Sequence, residues 1–282
     1  MADSRQEILT TLMEMAKEGK QIAQDMSYRG ERWLKPDGSV LTKADVTIAE
    51  LMHRKLENLH TPQDHLLVDE EDANHYATFD DGIIDNATYT WSIDPIDGTR
   101  NFAAGLPIYG ISIGVLKNRQ PYMGMVYMPD MHEMYLHDGE KAAYIQSPFM
   151  EDEVRTPITP APREADGFSL VVTDNGFRKG HKIGDISNLD LGASVVNLCW
   201  TAHARAVATT FTGRLWDMAG PWPILKAAGC GFYNMHTLEE MDALDLAYFR
   251  DNPDDAWHVD GYYFVTTPEV AAHLKQERLS AA

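Results

Sequence analysis

Residues 91–102 read WSIDPIDGTRNF, with two aspartates three residues apart, a proline between them, and Gly-Thr immediately after. An apolar run ending in Asp94 has the pattern of a buried strand. Pro95 fixes its own φ, and the sequence predicts a tight turn there that brings Asp97 round beside Asp94. Gly98 and Thr99 then have the pattern of a helix start, whose outward backbone N–H groups form an anion site. Two carboxylates converging at a strand end repel one another unless cations lie between them, and oxygen-only ligands select hard ions such as Mg²⁺. Metal ions beside an anion cradle suit phosphoryl transfer, in which they neutralise charge and orient an attacking water. The stretch therefore predicts that Asp94 and Asp97 hold metal and that Gly98 and Thr99 hold phosphate.

Upstream, residues 64–97 contain ten Asp or Glu and no Lys or Arg, including VDEED at 68–72. Acidic runs are usually solvated faces. Asp94 and Asp97 depart from that pattern because the first ends an apolar run and the second follows a proline.

The whole chain has 282 residues, 44% hydrophobic and 10% aromatic, enough for one large core or two closely joined lobes. Its formal charge of -19 argues against a nucleic-acid polymer as partner, since counterion release needs clustered Lys and Arg. Cys199 and Cys230 have neither metal-ligand nor redox spacing and are expected to be buried thiols in a reducing compartment. The N-terminal MADSRQEILTTLMEMAKEGK is interrupted by charges, and no apolar run reaches membrane-spanning length. A soluble, cytoplasmic protein with no membrane partner is the expectation.

Ile8, Leu12, Met15, Gly19, Ile22 and Met26 recur on one helical face, and a second helix is predicted from about Asp45 to Leu59. The intervening GERWLKPDGSVLTKAD carries a Pro-Asp-Gly turn and reads as a loop or short hairpin. From Thr88, the runs TYTWSI, YGISIGVL, YMGMVYM, EMYLH and AAYIQ predict an antiparallel meander, with Met123, Met125 and Met128 as filler. The polar stretch SPFMEDEVRTPITPAPREADG at 147–167 is the expected junction between an N-terminal lobe of about residues 1–150 and a C-terminal lobe of about 151–282. Beyond it the pattern predicts a strand (FSLVVT), helices at about 193–208 and 217–228, and a final strand and helix (YYFVTT, then PEVAAHLKQ). The class is α+β, with helices and strands segregated.

WSIDPIDGTRNF resembles the D-P-I-D-G-T-x-N-F signature of the inositol monophosphatase family of Mg²⁺-dependent, Li⁺-sensitive phosphatases. VDEED stands at the family's G-E-E segment with Asp69 replacing the glycine, VLTKAD resembles V-T-x-A-D, and LWDMAG resembles W-D-x-A-G, preceded by the similar GASVVNLCWTAHARA. The resemblance spans roughly residues 8–230 and implies a layered α/β/α/β/α sandwich of the inositol monophosphatase and fructose-1,6-bisphosphatase type. It implies that Glu70, Asp94 and the carbonyl of Ile96 hold one Mg²⁺ and that Asp94, Asp97 and Asp217 hold a second, in a site of two or three ions. Glu70 and Thr99 would polarise the attacking water, with Asp45 accepting the Thr99 hydroxyl proton. Asp97, Gly98, Thr99 and Asp217 would contact the substrate and its phosphate, and Lys35 matches a mobile-loop lysine. A homodimer is also implied. Taken without the resemblance, Asp217 and Asp45 read as helix-capping residues, a common use of Asp that is compatible with ligation. Glu71 and Asp72 read as outer or solvated acids.

Three features depart from the pattern. Pro221 and Pro223 fall inside the helix expected after Asp217. Residues 234–260 match no family stretch. Inositol-handling members carry a carboxylate a few residues before W-D, where this chain has Thr209, Thr210, Phe211 and Thr212. The expected activity is hydrolysis of a small phosphomonoester by metal-activated water. Histidinol phosphate, fructose 1,6-bisphosphate and 3'-phosphoadenosine 5'-phosphate stand as alternative substrates, and a catalytically silent regulatory or binding protein is the alternative from another class.

Overall fold

The computed structural model describes residues 4–26, 30–35, 38–72, 74–165, 169–173 and 187–280. Pro36 and Asp37 of the expected turn, and Phe168 of the expected strand, lie outside the described residues.

Helices α1 (Ser4–Asp25) and α2 (Lys43–Glu57) form an outer layer. Ile8, Leu12, Met15 and Ala23 line one face of α1 because they recur at helical spacing, and they share a core with Ile48, Met52 and Leu56 of α2. A hairpin of β1 (Arg32–Leu34) and β2 (Val40–Thr42) joins the two helices.

Beneath them lies a seven-stranded sheet of β3 (His65–Asp69), β4 (Tyr89–Asp97), β5 (Gly110–Lys117), β6 (Gln120–Met128), β7 (Glu133–His137), β8 (Ala142–Gln146) and β9 (Val154–Ile158), in that order. From β4 to β8 it is the expected antiparallel meander, which β9 extends by one further antiparallel strand. Strand β3 adds to β4 in parallel, across a crossover that contains α3 (Asp81–Asn86). Every residue of β4 is buried, its polar Thr90, Ser92, Asp94 and Asp97 included, because helices cover both faces of the sheet. Short helix α4 (Thr99–Ala104) leaves the end of β4.

A central layer of α5 (Ser194–Ala202), α6 (Leu215–Ala219) and α7 (Trp222–Ala227) separates this sheet from a second one. The second sheet comprises β10 (Leu170–Thr173), β11 (Ser187–Leu189), β12 (Ala208–Phe211), β13 (Gly231–Asn234), β14 (Glu240–Met241) and β15 (Tyr263–Thr266). Its order is β11-β10-β12-β15-β13-β14, with parallel pairing only among β11, β10 and β12. Helix α8 (Pro268–Ser280) covers the far face through Val270, Ala271 and Leu274. The result is the expected α/β/α/β/α sandwich. Its main core lies between the sheets, where Val126 and Tyr135 meet Val195, Leu198 and Trp222, and these meet Phe211, Phe232 and Val265.

Four local expectations change. Asp94 does not end its strand at a tight turn, because β4 runs on through Asp97 with a bulge at Pro95 and Ile96. The helix expected at 193–208 stops at Ala202, and the β-branched pair Thr209 and Thr210 with Phe211 becomes strand β12. The helix expected at 217–228 is two helices, with Pro221 capping α7 and Pro223 in its first turn, where a missing N–H is harmless. The polar stretch at 147–167 contributes β9, an edge strand that can accommodate Pro157.

One close approach sets the height of α6. Gly114 and Gly124 are cross-strand partners in β5 and β6. A Cβ on Gly114 would lie 2.3 Å from the carbonyl carbon of Ala219, and one on Gly124 would lie 2.1 Å from the carbonyl oxygen of Gly220. The corner between α6 and α7 therefore rests on bare sheet backbone, which lowers Asp217 toward β4. Gly114→Ala is expected to destabilise the protein by about 1–3 kcal/mol or more, as overpacking of a filled core does. Because the added methyl displaces the helix that carries Asp217, activity should fall with the melting temperature. Wild-type melting and turnover in this variant would refute the constraint.

Candidate active site

The bulge explains the spacing of the two aspartates. Residues three apart on a regular strand point to opposite faces. In β4, Asp94 pairs with Ser112 and Asp97 with Gly110, so Pro95 and Ile96 on one strand oppose the single Ile111 on the other. The extra residue returns Asp97 to the face of Asp94. Helix α6 brings Asp217 over the same face, and ligand oxygens of Asp94, Asp97 and Asp217 lie within 4.8 Å of one another.

Each carboxylate is held by the backbone around it. Asp97 Oδ2 accepts the Val195 N–H at 3.0 Å, so it satisfies an orphan donor at the start of α5. Asp217 Oδ2 accepts the Arg214 N–H at 2.6 Å. Asp217 is thus the third residue of α6 and reaches back to its N-cap, instead of being the N-cap itself. Gly98 has φ 82° and opens α4; a Cβ there would also lie 2.9 Å from Ala193 Cβ and 3.0 Å from the Ile108 carbonyl oxygen.

Asp45 is the third residue of α2. Its Oδ2 accepts the Thr42 N–H at 2.8 Å and the Thr42 hydroxyl, in a capping box that the Thr-x-x-Asp spacing makes legible in sequence. Its Oδ1 lies 3.3 Å from the Thr99 hydroxyl, which is nearer the Ile96 carbonyl at 2.9 Å. That hydroxyl stands between two acceptors with one proton to give. On the other side, Lys35 Nζ lies 3.0 Å from Glu70 Oε1 and 2.8 Å from Glu71 Oε2. The structure therefore gathers Asp45, Glu70, Asp94, Ile96, Asp97, Gly98, Thr99 and Asp217 around the end of β4, with Lys35 over Glu70.

Residues 234–260 have a structural use that no sequence signal announces. The Trp257 carbonyl accepts the Leu215 N–H at 2.9 Å and the Val259 N–H bonds the Gly213 carbonyl at 2.9 Å, bracing the entry to α6. The buried Trp257 indole donates to the His75 carbonyl at 3.1 Å and to Thr78 Oγ1 at 3.2 Å, and Asp255 pairs with Arg214 at 3.1 Å. This segment links the loop after Glu70 to the helix of Asp217. Phe211 does not wall the cleft, because it is buried edge-on against Phe232 with ring centroids 5.4 Å apart.

Charge at the site is out of balance. Burial raises Asp94 well above the ordinary carboxylate range, and Glu70, Asp97 and Asp217 push it further. Its Oδ1 is buried with no hydrogen-bond partner among the described residues. Burial lifts Asp45 to about 6, against the opposing hydrogen bonds from Thr42. Burial and then Glu70 lift Glu71 to about 8, with Lys35 pulling the other way. Burial alone would lower Lys35, but Glu70 and Glu71 outweigh it and raise its pKa. An orphaned carboxylate oxygen inside a hard-oxygen cluster is what a divalent cation would complete.

Layered sandwich, acidic trio and adjoining hydroxyl together define a class, the phosphoric monoester hydrolases. Comparison with known proteins narrows it. The inositol monophosphatase family profile matches residues 4–246, and the chain belongs to that family. The match runs past the expected span of 8–230 and takes in residues 234–246, against the expectation that the stretch 234–260 matches no part of the family. It is 26% identical over 236 residues to inositol monophosphatase 1 of Solanum lycopersicum, covering 80% of this chain and 84% of that protein. Its fold is shared by the extragenic suppressor protein SuhB of Bartonella henselae, with a TM-score of 0.72 and 17% identity over 98% of this chain and 99% of that one. It is shared too by an inositol monophosphatase/NADP phosphatase solved with NADP and Ca²⁺, with a TM-score of 0.73 and 16% identity over 97% of each chain. Among the described residues no helix is long and apolar enough to cross a membrane.

A carboxyl whose folded pKa is raised binds its proton more tightly folded than unfolded, so the stability it adds at low pH is lost as pH rises through its folded value. For Asp45 and Glu71 that window runs from the ordinary carboxylate range up to about 6 and about 8. The melting temperature in EDTA should therefore fall between about pH 5 and about pH 8, and Mg²⁺ should raise it more at the upper end, by linkage to the folded state. A metal-free melting temperature that is flat or rising across that range would count against this charge balance.

Proposed function

We propose that this protein hydrolyses the phosphate monoester of a small polar metabolite with Mg²⁺ as cofactor, the whole chain acting as one catalytic unit of two lobes meeting near residue 150. The observation that carries the proposal is the convergence of Asp94, Asp97 and Asp217 within 4.8 Å, with an Asp94 oxygen buried and unpartnered. Glu70, Asp94 and the Ile96 carbonyl would hold one ion and Asp94, Asp97 and Asp217 a second, with room in this reading for a third. Mg²⁺ bound there supplies charge neutralisation for the phosphoryl oxygens and acidifies an attacking water.

The chain's own residues do the rest. Backbone N–H groups of Gly98 and Thr99, at the start of α4, receive the phosphate. Glu70 and the Thr99 hydroxyl orient the water, and Asp45 accepts the hydroxyl proton of Thr99 once that hydroxyl turns from the Ile96 carbonyl. Asp97 and Asp217 face the substrate as well as the ion. Family membership supports lithium sensitivity, a homodimer and a cytoplasmic location as parts of the same reading.

EDTA should abolish phosphate release and added Mg²⁺ restore it. Asp94→Asn and Asp97→Asn should each lower kcat by more than about a hundredfold, the several kcal/mol that a metal's charge stabilisation contributes. Turnover persisting in metal-free buffer would end this mechanism.

Substrate choice follows from β12. Thr209, Thr210 and Phe211 are buried, so this stretch offers no carboxylate to sugar hydroxyls. A site that lacks a hydroxyl's partner gains nothing from that hydroxyl. Inositol 1-phosphate should therefore show a lower kcat/KM than at least one of histidinol phosphate, fructose 1,6-bisphosphate, 3'-phosphoadenosine 5'-phosphate and glycerol 2-phosphate at one Mg²⁺ concentration. A panel in which inositol 1-phosphate is clearly fastest would refute the substrate argument and leave the metal mechanism standing.

A further inference from the structure

We propose that Asp69 and His53 are positioning residues that tie the Glu70–Glu71 turn to α2 and thereby set how Glu70 meets a divalent cation. The proposal rests on the phosphatase reading above and extends it to two residues that reading does not use.

Asp69 is the last residue of β3, paired in register with Ile93 one residue before Asp94. Its carboxylate is 3% exposed. Oδ1 accepts the Glu71 N–H at 2.9 Å, which closes the turn that presents Glu70 and Glu71. Oδ2 lies 2.7 Å from His53 Nε2. Both oxygens of a buried acid are thus engaged, one by the turn and one by the helix beside it.

His53 stands eight residues after Asp45 on α2, about two helical turns, so the two side chains share a helix face. Helix α2 meets the acidic site at two levels. Asp45 lies close enough to Glu70 for the two charges to repel and bonds toward Thr99, while His53 grips Asp69. Opposite them, Lys35 holds Glu70 and Glu71 from the hairpin. A glycine at position 69, as in the G-E-E pattern, could make neither side-chain bond, and the turn would lose its link to α2. Groups outside the ligand sphere that orient a ligand commonly govern metal affinity.

The test is calorimetric titration of MgCl₂ into the full-length wild type, Asp69→Gly, Asp69→Asn and His53→Ala, with kcat measured at saturating Mg²⁺. Asp69→Gly should weaken Mg²⁺ binding roughly ten- to a hundredfold while kcat at saturation stays within about threefold, since the ligands themselves remain. Asp69→Asn keeps an acceptor for the Glu71 N–H and should recover most of the affinity, with His53→Ala intermediate. Mg²⁺ affinity in Asp69→Gly equal to wild type, even with a lowered melting temperature, would reduce the pair to packing and overturn the proposal. If Asp69→Gly does not fold, wild-type affinity in His53→Ala, which removes the α2 partner of Asp69, overturns it equally. A wild type that neither binds Mg²⁺ nor releases phosphate would overturn the phosphatase reading itself, which separates the two failures.

Discussion

Mutual repulsion among Asp94, Asp97 and Asp217 is the constraint around which the rest of the site is built. Three carboxylates within 4.8 Å oppose folding in the absence of a counter-charge. Backbone devices help to hold them there. A bulge turns Asp97 onto the face of Asp94, the start of α5 donates to Asp97, and Arg214 N–H donates to Asp217. The bare surface of Gly114 and Gly124 lets the α6–α7 corner descend onto the sheet. The strain is electrostatic and local, which leaves it available to a divalent cation.

Burial gives that cluster its chemical leverage. Charges in a dry site interact more strongly than in water, so the buried Asp94, which resists ionisation when metal-free, is suited to a hard cation. The site draws on α2, β3, β4, α4 and α6, elements from both sides of the first sheet. Its parts are joined by side-chain hydrogen bonds: Asp45 to Thr99, Thr99 to the Ile96 carbonyl, Lys35 to Glu70, and Asp69 to the Glu71 N–H. Residues 248–260 extend the joining to α6, since Trp257 bonds both the segment after Glu70 and the strand-like entry to that helix. A chemistry that depends on tenths of an ångström is thereby distributed over a rigid frame and does not rest on one loop.

The second sheet shapes what can approach. In β12, Thr209 bonds Thr201 and the Asn197 carbonyl, so its hydroxyl serves the sheet-to-helix seam. Phe211 packs beneath Gly213 and against Phe232. Thr209 and Phe211 are therefore committed to the interior.

Much of this was legible from residues 91–102 and the motifs around them. Local sequence determined the chemistry of the site, because side-chain type decides which ions and protons a group can hold, and Asp94, Asp97, Gly98, Thr99, Asp45 and Asp217 are named by motif and spacing. It also determined the meander and the two N-terminal helices, whose apolar periods of two and of three to four residues are short-range properties. Tertiary structure alone decided that Pro95 sits in a bulge and not a turn, since a bulge exists only against the partner strand. It decided that residues 208–211 form a strand, because the β12 ladder to β10 and β15 lies far off in sequence. It decided as well that Asp69 meets His53, that Asp97 accepts the Val195 N–H at the start of α5, and that Trp257 braces the site. Each of these is a contact between segments whose separation along the chain no local pattern encodes, and each is settled by which surfaces the packed layers bring within hydrogen-bonding distance.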